Sequence, residues 1–154
     1  MLFRSIYKMS WNDWVKNSLI NCTDHGHSYM NVLTHGAIVG FNGAVWASTE
    51  GLDIKPDEVK KLDELFKQSE NNTPSIMVGG KKYQVTHYEP NAFVYLKIKE
   101  GGATIAKTTK AFVVGIYSTA KKYKTGEGKE LPQSVGMCNT VVENLAAQLK
   151  GMNY

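Results

Sequence analysis

The sequence predicts an α+β domain built on an antiparallel sheet, and three observations carry that prediction. Apolar residues recur at helical spacing near both ends of the 154-residue chain, an Asn-Gly dipeptide separates two β-rich runs, and five short runs of alternating hydrophobicity follow one another. Short strands with tight links favour antiparallel pairing, with helices packed on the sheet. The length fits one domain, and the sequence contains no internal repeat or linker-like segment.

The first helix is predicted to begin at Ser10 and to end near Ile20. The Ser10 hydroxyl can cap the helix, and Asp13 places an acid in the first turn. The residues at helical spacing are Trp11, Trp14, Val15, Ser18 and Leu19. The following segment, "NCTDHGHS", has the composition of a loop.

A β-hairpin and a second helix come next. Asn42-Gly43 is a strong hairpin signal, so we assign strands to residues 36–41 and 44–49. Pro56 stands at a favoured first helical position, followed by acids and by an apolar stripe. We therefore predict a helix over residues 56–68.

Five short strands and a final helix complete the chain. The strand segments are "SIMVGG", "KYQVTHYE", "AFVYLKIK", "ATIAKT" and "AFVVGIYS". Their period of two and the glycine-containing links between them predict an antiparallel meander. Residues 118–136 are predicted to be a long polar loop. An amphipathic helix follows and is stopped by Gly151.

Composition excludes some classes of protein and leaves others open. No apolar run approaches the roughly 18 residues that a membrane span needs, and "MLFRSIYK" does not have the pattern of a secretory signal. The cysteines, Cys22 and Cys138, form no metal-type pair and indicate no disulfide framework. We expect a cytoplasmic protein.

The lysines are concentrated in one part of the chain. Between Lys81 and Lys129 there are ten lysines against three glutamates, although the net charge of the chain is +4. Such a surface favours an acidic protein face, anionic lipid or nucleic acid, and charge alone does not choose among them.

The candidate catalytic motifs are weak. The residues Cys22, Asp24, His25 and His27 stand close together, and Cys22 with either histidine would be the nucleophile and base of a rival enzyme hypothesis. A solvated loop is the simpler interpretation, because no set of zinc ligands or third orienting group accompanies them. The "GEGKE" segment does not have the spacing of a phosphate-binding loop. We expect no catalytic residue, no metal site and no cofactor.

Two tryptophans three positions apart, Trp11 and Trp14, share a face of the first helix. Aromatic stripes at helical spacing are usually core, and the residues alone leave open whether these rings are buried or form a binding surface.

The order and spacing of several segments resemble the profilin family. These segments are "SWNDWV", "GAIVGFNGAVWAS", "GGKKYQV", "KTTKAFVVGIY" and "CNTVVENLAAQL". The resemblance runs from Ser10 to Tyr154. It implies a central antiparallel sheet of about six or seven strands, with the N- and C-terminal helices on one face and a further helix on the other.

The resemblance also implies three binding activities: monomeric actin, proline-rich segments of actin-assembly factors such as formins, and phosphoinositides. The positions that match the family's proline-binding surface are Trp11, Trp14, Trp46, Leu149 and Tyr154. Those that match its actin-facing surface are Lys82, Val85, His87, Lys97, Lys99 and Asn139. The candidates for anionic lipid headgroups are Lys81, Lys107, Lys110 and Lys150.

The sequence departs from the family in three places. Residues 1–9 form an N-terminal extension before the domain of residues 10–154, the 118–136 loop is longer than the usual turn, and Gln148 stands where animal profilins often have histidine. The long loop lies beside the expected actin-facing helix start.

Taken together, these features predict a monomeric, cytoplasmic, cytoskeleton-associated protein without enzymatic activity or a nucleic-acid partner, which regulates actin polymerisation and nucleotide exchange. The alternative is an adaptor of the same fold that binds proline-rich ligands but has lost or altered actin binding.

Overall fold

The computed structural model of the protein describes residues 10–70 and 72–154. The N-terminal extension predicted for residues 1–9 lies outside the described residues. The strands of the described part are, in chain order, β1 (Cys22–Asp24), β2 (His27–Met30), β3 (His35–Gly40), β4 (Val45–Ser48), β5 (Ser75–Val78), β6 (Lys81–Glu89), β7 (Phe93–Ile98), β8 (Gly101–Lys107), β9 (Ala111–Ser118), β10 (Lys122–Thr125) and β11 (Glu130–Pro132).

The first helix, α1 (Trp11–Val15), begins where the sequence predicts and continues as a π-helical turn, Lys16–Ile20. Ser10 and Asp13 form a reciprocal cap: the Ser10 hydroxyl accepts from the Asp13 N–H, and the Asp13 carboxylate accepts from the Ser10 N–H. The predicted end near Ile20 is confirmed. No local sequence pattern predicts the π-helical turn at that end.

The central sheet has seven antiparallel strands in the order β4-β3-β9-β8-β7-β6-β5. The predicted hairpin forms β3 and β4, and the predicted meander forms β5 to β9. The strands pair with their neighbours along the chain, apart from β3, which also joins β9. The α+β class and the antiparallel arrangement predicted from the sequence are confirmed.

Helices cover both faces of this sheet. The second helix, α2 (Pro56–Phe66), lies on one face, where Val59, Leu65 and Phe66 contribute to a buried cluster. The last helix, α3 (Val135–Gly151), lies with α1 on the other face. At Gly115 of β9 a Cβ atom would collide with the side chains of Val142 and Leu33, so glycine allows α3 to approach the sheet closely.

Two segments predicted to be loops are instead paired strands. The "NCTDHGHS" segment and residues 118–136 contribute β1, β2, β10 and β11 to a second, four-stranded sheet in the order β1-β2-β10-β11. Tyr29 of β2 meets Tyr123 of β10 with ring centroids 6.2 Å apart, and Tyr123 is buried against the α1 and α3 side of the core. The prediction failed because these strands have only three or four residues each and are rich in polar side chains, and because the pairing of β2 with β10 joins segments about ninety positions apart.

One buried amide fixes the second sheet to the rest of the domain. Gln133, 3% exposed, accepts hydrogen bonds at Oε1 from the Thr34 hydroxyl (2.7 Å) and the Ser118 N–H (3.0 Å). Its Nε2 donates to the Asn31 carbonyl (2.8 Å), and its backbone N–H donates to the Lys121 carbonyl (2.9 Å). The segment entering α3 is therefore held in place.

Candidate functional site

Three aromatic rings from different parts of the chain meet at one end of the helix pair. Trp11 of α1 lies 4.9 Å from Trp46 of β4 and 5.1 Å from Tyr154, measured between ring centroids. Trp46 and Tyr154 are 6.2 Å apart, and Tyr154 stands nearly perpendicular to both tryptophans. We call these three residues the aromatic cluster. Its tryptophans are half-buried and Tyr154 is 37% exposed, so the rings combine fixed positions with accessible surface.

The chain around the aromatic cluster fixes each ring. A Cβ at Gly40 would lie 2.9 Å from the Trp46 indole nitrogen, so glycine leaves room for that ring. The Tyr154 N–H donates to the Leu149 carbonyl (2.8 Å), and its main-chain oxygen accepts from the Thr108 hydroxyl (2.7 Å). The Lys110 ammonium lies 5.4 Å from the centre of the Tyr154 ring.

The other two residues predicted for the proline surface lie outside the aromatic cluster. Trp14 is half-buried and packs, with Trp11 and Trp46, against the core cluster that contains Leu149. Leu149 itself is fully buried, so it supports the rings from below and offers no surface to a ligand. Its spacing from Val141 and Leu145 places it on the apolar stripe of α3, whereas the family resemblance had placed it in the binding surface.

The residues predicted to face actin are divided between the two faces of the sheet. Lys97 of β7 pairs with Gln84 of β6, so their side chains lie on the same face of the sheet. Lys82 precedes Gln84 by two residues in β6 and therefore lies on that face too. A bulge between Val85 and His87 keeps His87 on that face, where its ring contacts Phe93 and Tyr95.

The other three members of the predicted actin surface differ in their setting. Val85 packs against the cluster under α2, on the opposite face of the sheet. Asn139 lies near the start of α3, and its side-chain oxygen accepts a hydrogen bond from the buried Thr104 hydroxyl. Lys99 is exposed in the turn after β7.

A hydrogen bond joins β7 to α3 on the face of the sheet that carries His87 and Lys97. The Tyr95 hydroxyl donates to Glu143 Oε1 at 2.9 Å. Burial, and then this bond to the carboxylate, raise the pKa of Tyr95 to about 12, so the phenol stays a donor at neutral pH.

The four lysines proposed for lipid headgroups do not form one group. Lys107 and Lys110 stand at the β8–β9 connection, and the Lys110 N–H donates to the main-chain oxygen of Tyr154, which follows Lys150 in the last turn of α3. The Lys107 ammonium lies 5.3 Å from the centre of the Phe41 ring and donates to Asn91 Oδ1. Lys81 begins β6 at the opposite end of the sheet. The structure therefore places Lys110 and Lys150 near one another, while the Lys107 ammonium is held at Phe41 and Asn91.

Lys81 lies close to a partly buried histidine instead. Burial and then the charge of Lys81 lower the pKa of His35, and His35 Nδ1 lies 3.0 Å from the Thr49 hydroxyl. His35 is therefore held neutral at physiological pH.

The Cys22 segment has the chemistry of a structural strand. Burial, and then the charge of Asp24, raise the pKa of Cys22 to about 11, which disfavours the nucleophilic thiolate. His25 Nε2 lies 3.7 Å from Asp24 Oδ1, and the His25 side chain is 89% exposed. Within residues 10–70 and 72–154, no group of three or more His, Cys, Asp or Glu side chains is placed to hold a metal ion.

A groove on the α1 and α3 side of the domain has no counterpart in the sequence predictions. It has a volume of about 410 Å³ and lies between the π-helical turn, β1 and α3. Its lining comes from three separated elements, so no local motif marks it. Among the helices that the structure describes, none has the length and apolar character required to cross a membrane.

The fold and the aromatic cluster define a small α+β domain in which paired terminal helices and a hairpin tryptophan present aromatic side chains at one end. The profilin family model matches residues 9–154, and the chain belongs to the profilin family.

Solved structures of profilins are similar to this chain. Acanthamoeba castellanii profilin IB is 25% identical, with a TM-score of 0.73, over 94% of this chain and 100% of that one. Loki profilin 2, solved in complex with rabbit actin, is 15% identical, with a TM-score of 0.57, over 78% of this chain and 86% of its own. Mouse profilin IIa, solved with a double repeat from the FH1 domain of mDia1, is 18% identical, with a TM-score of 0.56, over 79% of this chain and 89% of that one. The last two likenesses concern the fold.

Proposed function

We propose that this profilin binds proline-rich segments of actin-assembly factors and monomeric actin, and thereby regulates actin polymerisation and nucleotide exchange in the cytoplasm. The aromatic cluster carries the proposal. Trp11, Trp46 and Tyr154 combine fixed ring positions with partial exposure, which a ring serving only the core does not need.

The aromatic cluster suits a polyproline II helix. Such a ligand is already extended before binding and loses little conformational entropy on docking. It requires rigid aromatic ridges and a few hydrogen-bond donors, and the indole N–H groups can supply those donors. The caps and main-chain bonds around Ser10, Thr108 and Tyr154 provide the rigidity.

The proposed actin surface combines lysines with the start of α3. Lys82, His87 and Lys97 lie on one side of the sheet, and the turn residue Lys99 and Asn139 complete the set. An acidic actin surface would be attracted to these lysines mainly through orientation and association rate. Val85 acts in this proposal through the core that supports β6 and not through direct contact.

Phosphoinositide binding is proposed as a regulatory input through Lys107, Lys110 and Lys150. Lys110 lies beside Tyr154 and Lys150 is in the last turn of α3, so an anionic headgroup there would compete with a proline-rich ligand. Lys107 would join them by leaving its contacts with Phe41 and Asn91. Each basic residue near an anionic membrane surface contributes about 1 kcal/mol. Lys81 remains a candidate, although it stands at the other end of the sheet.

The test of proline binding is a tryptophan-fluorescence titration with a proline decamer. We expect a saturable change in the intact protein and affinity at least about tenfold weaker in Trp11→Ala and Trp46→Ala, because aromatic anchors contribute about 2 kcal/mol or more. Met30→Ala, which truncates an exposed apolar side chain outside the aromatic cluster, is the control. Circular dichroism must show intact folds, and a decamer that does not bind the intact protein contradicts the proposal.

Actin binding is tested separately by the polymerisation rate of pyrene-labelled actin. Lys82→Glu with Lys97→Glu is expected to weaken the inhibition of polymerisation, whereas Lys16→Glu, on the π-helical turn, leaves it unchanged. If the intact protein binds the decamer but not actin, the adaptor alternative is the correct one. The second sheet, which leads directly into α3 beside Asn139, is the feature that favours this alternative.

A further inference from the structure

We propose that the groove between the first and last helices receives a lysine or arginine flanking the proline-rich segment on the aromatic cluster, and that Asp24 pairs with this basic side chain. We call it the helix groove. It is bounded by the π-helical turn and β1 on one side and by α3 on the other. The inference rests on the proposed proline binding and adds a sequence preference to it.

The helix groove continues from the proposed proline surface. Asn17 and Ser18, which line the groove, stand in the π-helical turn that directly follows α1, three and four positions after Trp14. On α3, the groove residue Gln148 adjoins Leu149, which supports the aromatic rings. A chain leaving the rings between these helices therefore enters the groove.

The lining can bind an extended peptide backbone. Asn17, Asn144 and Gln148 bring exposed side-chain amides, and Ser18 brings a hydroxyl. The Thr140 hydroxyl, also in the lining, donates to the Gly136 carbonyl of its own helix. A polyproline II segment has no internal hydrogen bonds, so its carbonyl groups are free to accept from such donors. The apolar floor is supplied by buried Val141 and Leu145.

The charge of the groove favours a basic ligand. Asp24 is the charged residue of the lining, and it stands in a protein whose net charge is +4. Its carboxylate is 34% exposed, and the neighbouring His25 imidazole is 3.7 Å away on a side chain that points largely into solvent. A lysine or arginine that enters the groove thus meets a partly desolvated carboxylate, where an ion pair is stronger than in bulk water.

The length of the groove sets how far the basic residue can lie from the rings. The groove follows α3 from Met137 to Gln148, which at the helical rise per residue is about 16 Å. A polyproline II chain advances about 3.1 Å per residue, so about five residues fill this distance. A proline decamer, about 31 Å long, therefore exceeds the aromatic cluster and can carry a terminal lysine into the groove.

The test compares three kinds of peptide by fluorescence titration at low ionic strength. They are the plain proline decamer, decamers carrying one lysine at either end, and matched decamers with glutamine in place of lysine. We expect one of the lysine peptides to bind the intact protein about threefold to tenfold more tightly than its glutamine counterpart. Asp24→Asn should abolish this preference, and the plain decamer should bind this variant unchanged.

Asp53→Asn is the matched control, because it removes the same charge from an exposed residue outside the groove. It should retain the lysine preference. Equal binding of lysine and glutamine peptides, or a preference that persists in Asp24→Asn, overturns this inference while the plain decamer still supports proline binding. If the plain decamer does not bind either, the proposed function fails and this inference fails with it.

Discussion

Gln133 is the residue whose replacement tests most directly how the second sheet is held on the domain. Its side chain makes three hydrogen bonds: with the Thr34 hydroxyl at 2.7 Å, the Ser118 N–H at 3.0 Å and the Asn31 carbonyl at 2.8 Å. Gln133 is 3% exposed, so solvent has little access to its side chain. Gln133→Ala removes all three bonds and leaves their partners without the amide.

The expected cost follows from that count. A hydrogen bond contributes about 1 kcal/mol net, and a buried partner left unsatisfied costs about 1–3 kcal/mol. With some relief from water entering the space left by the amide, we expect the free energy of unfolding to fall by about 3 kcal/mol. For a domain of this size, that corresponds to a Tm lower by about 6–12 °C.

The assay is urea denaturation followed by circular dichroism, supported by a thermal scan. Gln84→Ala, at an exposed position of β6, is the matched control and should change stability by no more than about 0.5 kcal/mol. Thr34→Val combined with Gln133→Ala should be less than additive by about 0.5 kcal/mol or more, since both remove the same bond. A loss below about 1 kcal/mol for Gln133→Ala would refute the reasoning, because water would then replace the amide without cost.

Two further predictions concern ionisation. In the native state the pKa of His35 is lowered from 6.5, so the unfolded chain binds a proton at His35 more readily. The free energy of unfolding should therefore be highest above about pH 7 and should fall as the pH drops below about 6.5. His35→Gln should reduce the difference between urea midpoints at pH 7.5 and 5.5, and an unchanged difference would contradict this assignment. Burial raises the pKa of Cys22 to about 11, so its alkylation by iodoacetamide at pH 8 should be about a hundredfold slower than that of a thiol with a pKa of 9. The rate of alkylation should increase with pH up to about pH 11. The fully buried Cys138, with its pKa raised to about 12, should react more slowly still, and in urea both should react alike; rapid native labelling of Cys22 would show that the thiol is not desolvated.

The elements predicted from the sequence are those whose signals are local. The reciprocal cap of Ser10 and Asp13, the Asn-Gly turn and Pro56 at the first helical position each specify an element within a few residues, and each is confirmed. Strands β1, β2, β10 and β11 were missed. They form two local hairpins, β1–β2 and β10–β11, whose strands have only three or four residues each. The β2–β10 pairing that joins these hairpins connects segments about ninety positions apart, and loop closure over that distance has no signature in either segment.

The sequence by itself determined the helices, the β3–β4 hairpin, the five-stranded meander and the family resemblance, because periodicity, caps and turns act over short distances. Tertiary structure decided which side chains share a surface. It placed Leu149 beneath the aromatic rings and turned Val85 toward α2. It also separated Lys81 and the Lys107 ammonium from the other two lysines proposed for lipid binding. It also formed the helix groove, with Asp24 in its lining, from elements far apart in the chain. Strand register and helix packing set these relations, and both depend on contacts between residues that are remote in sequence.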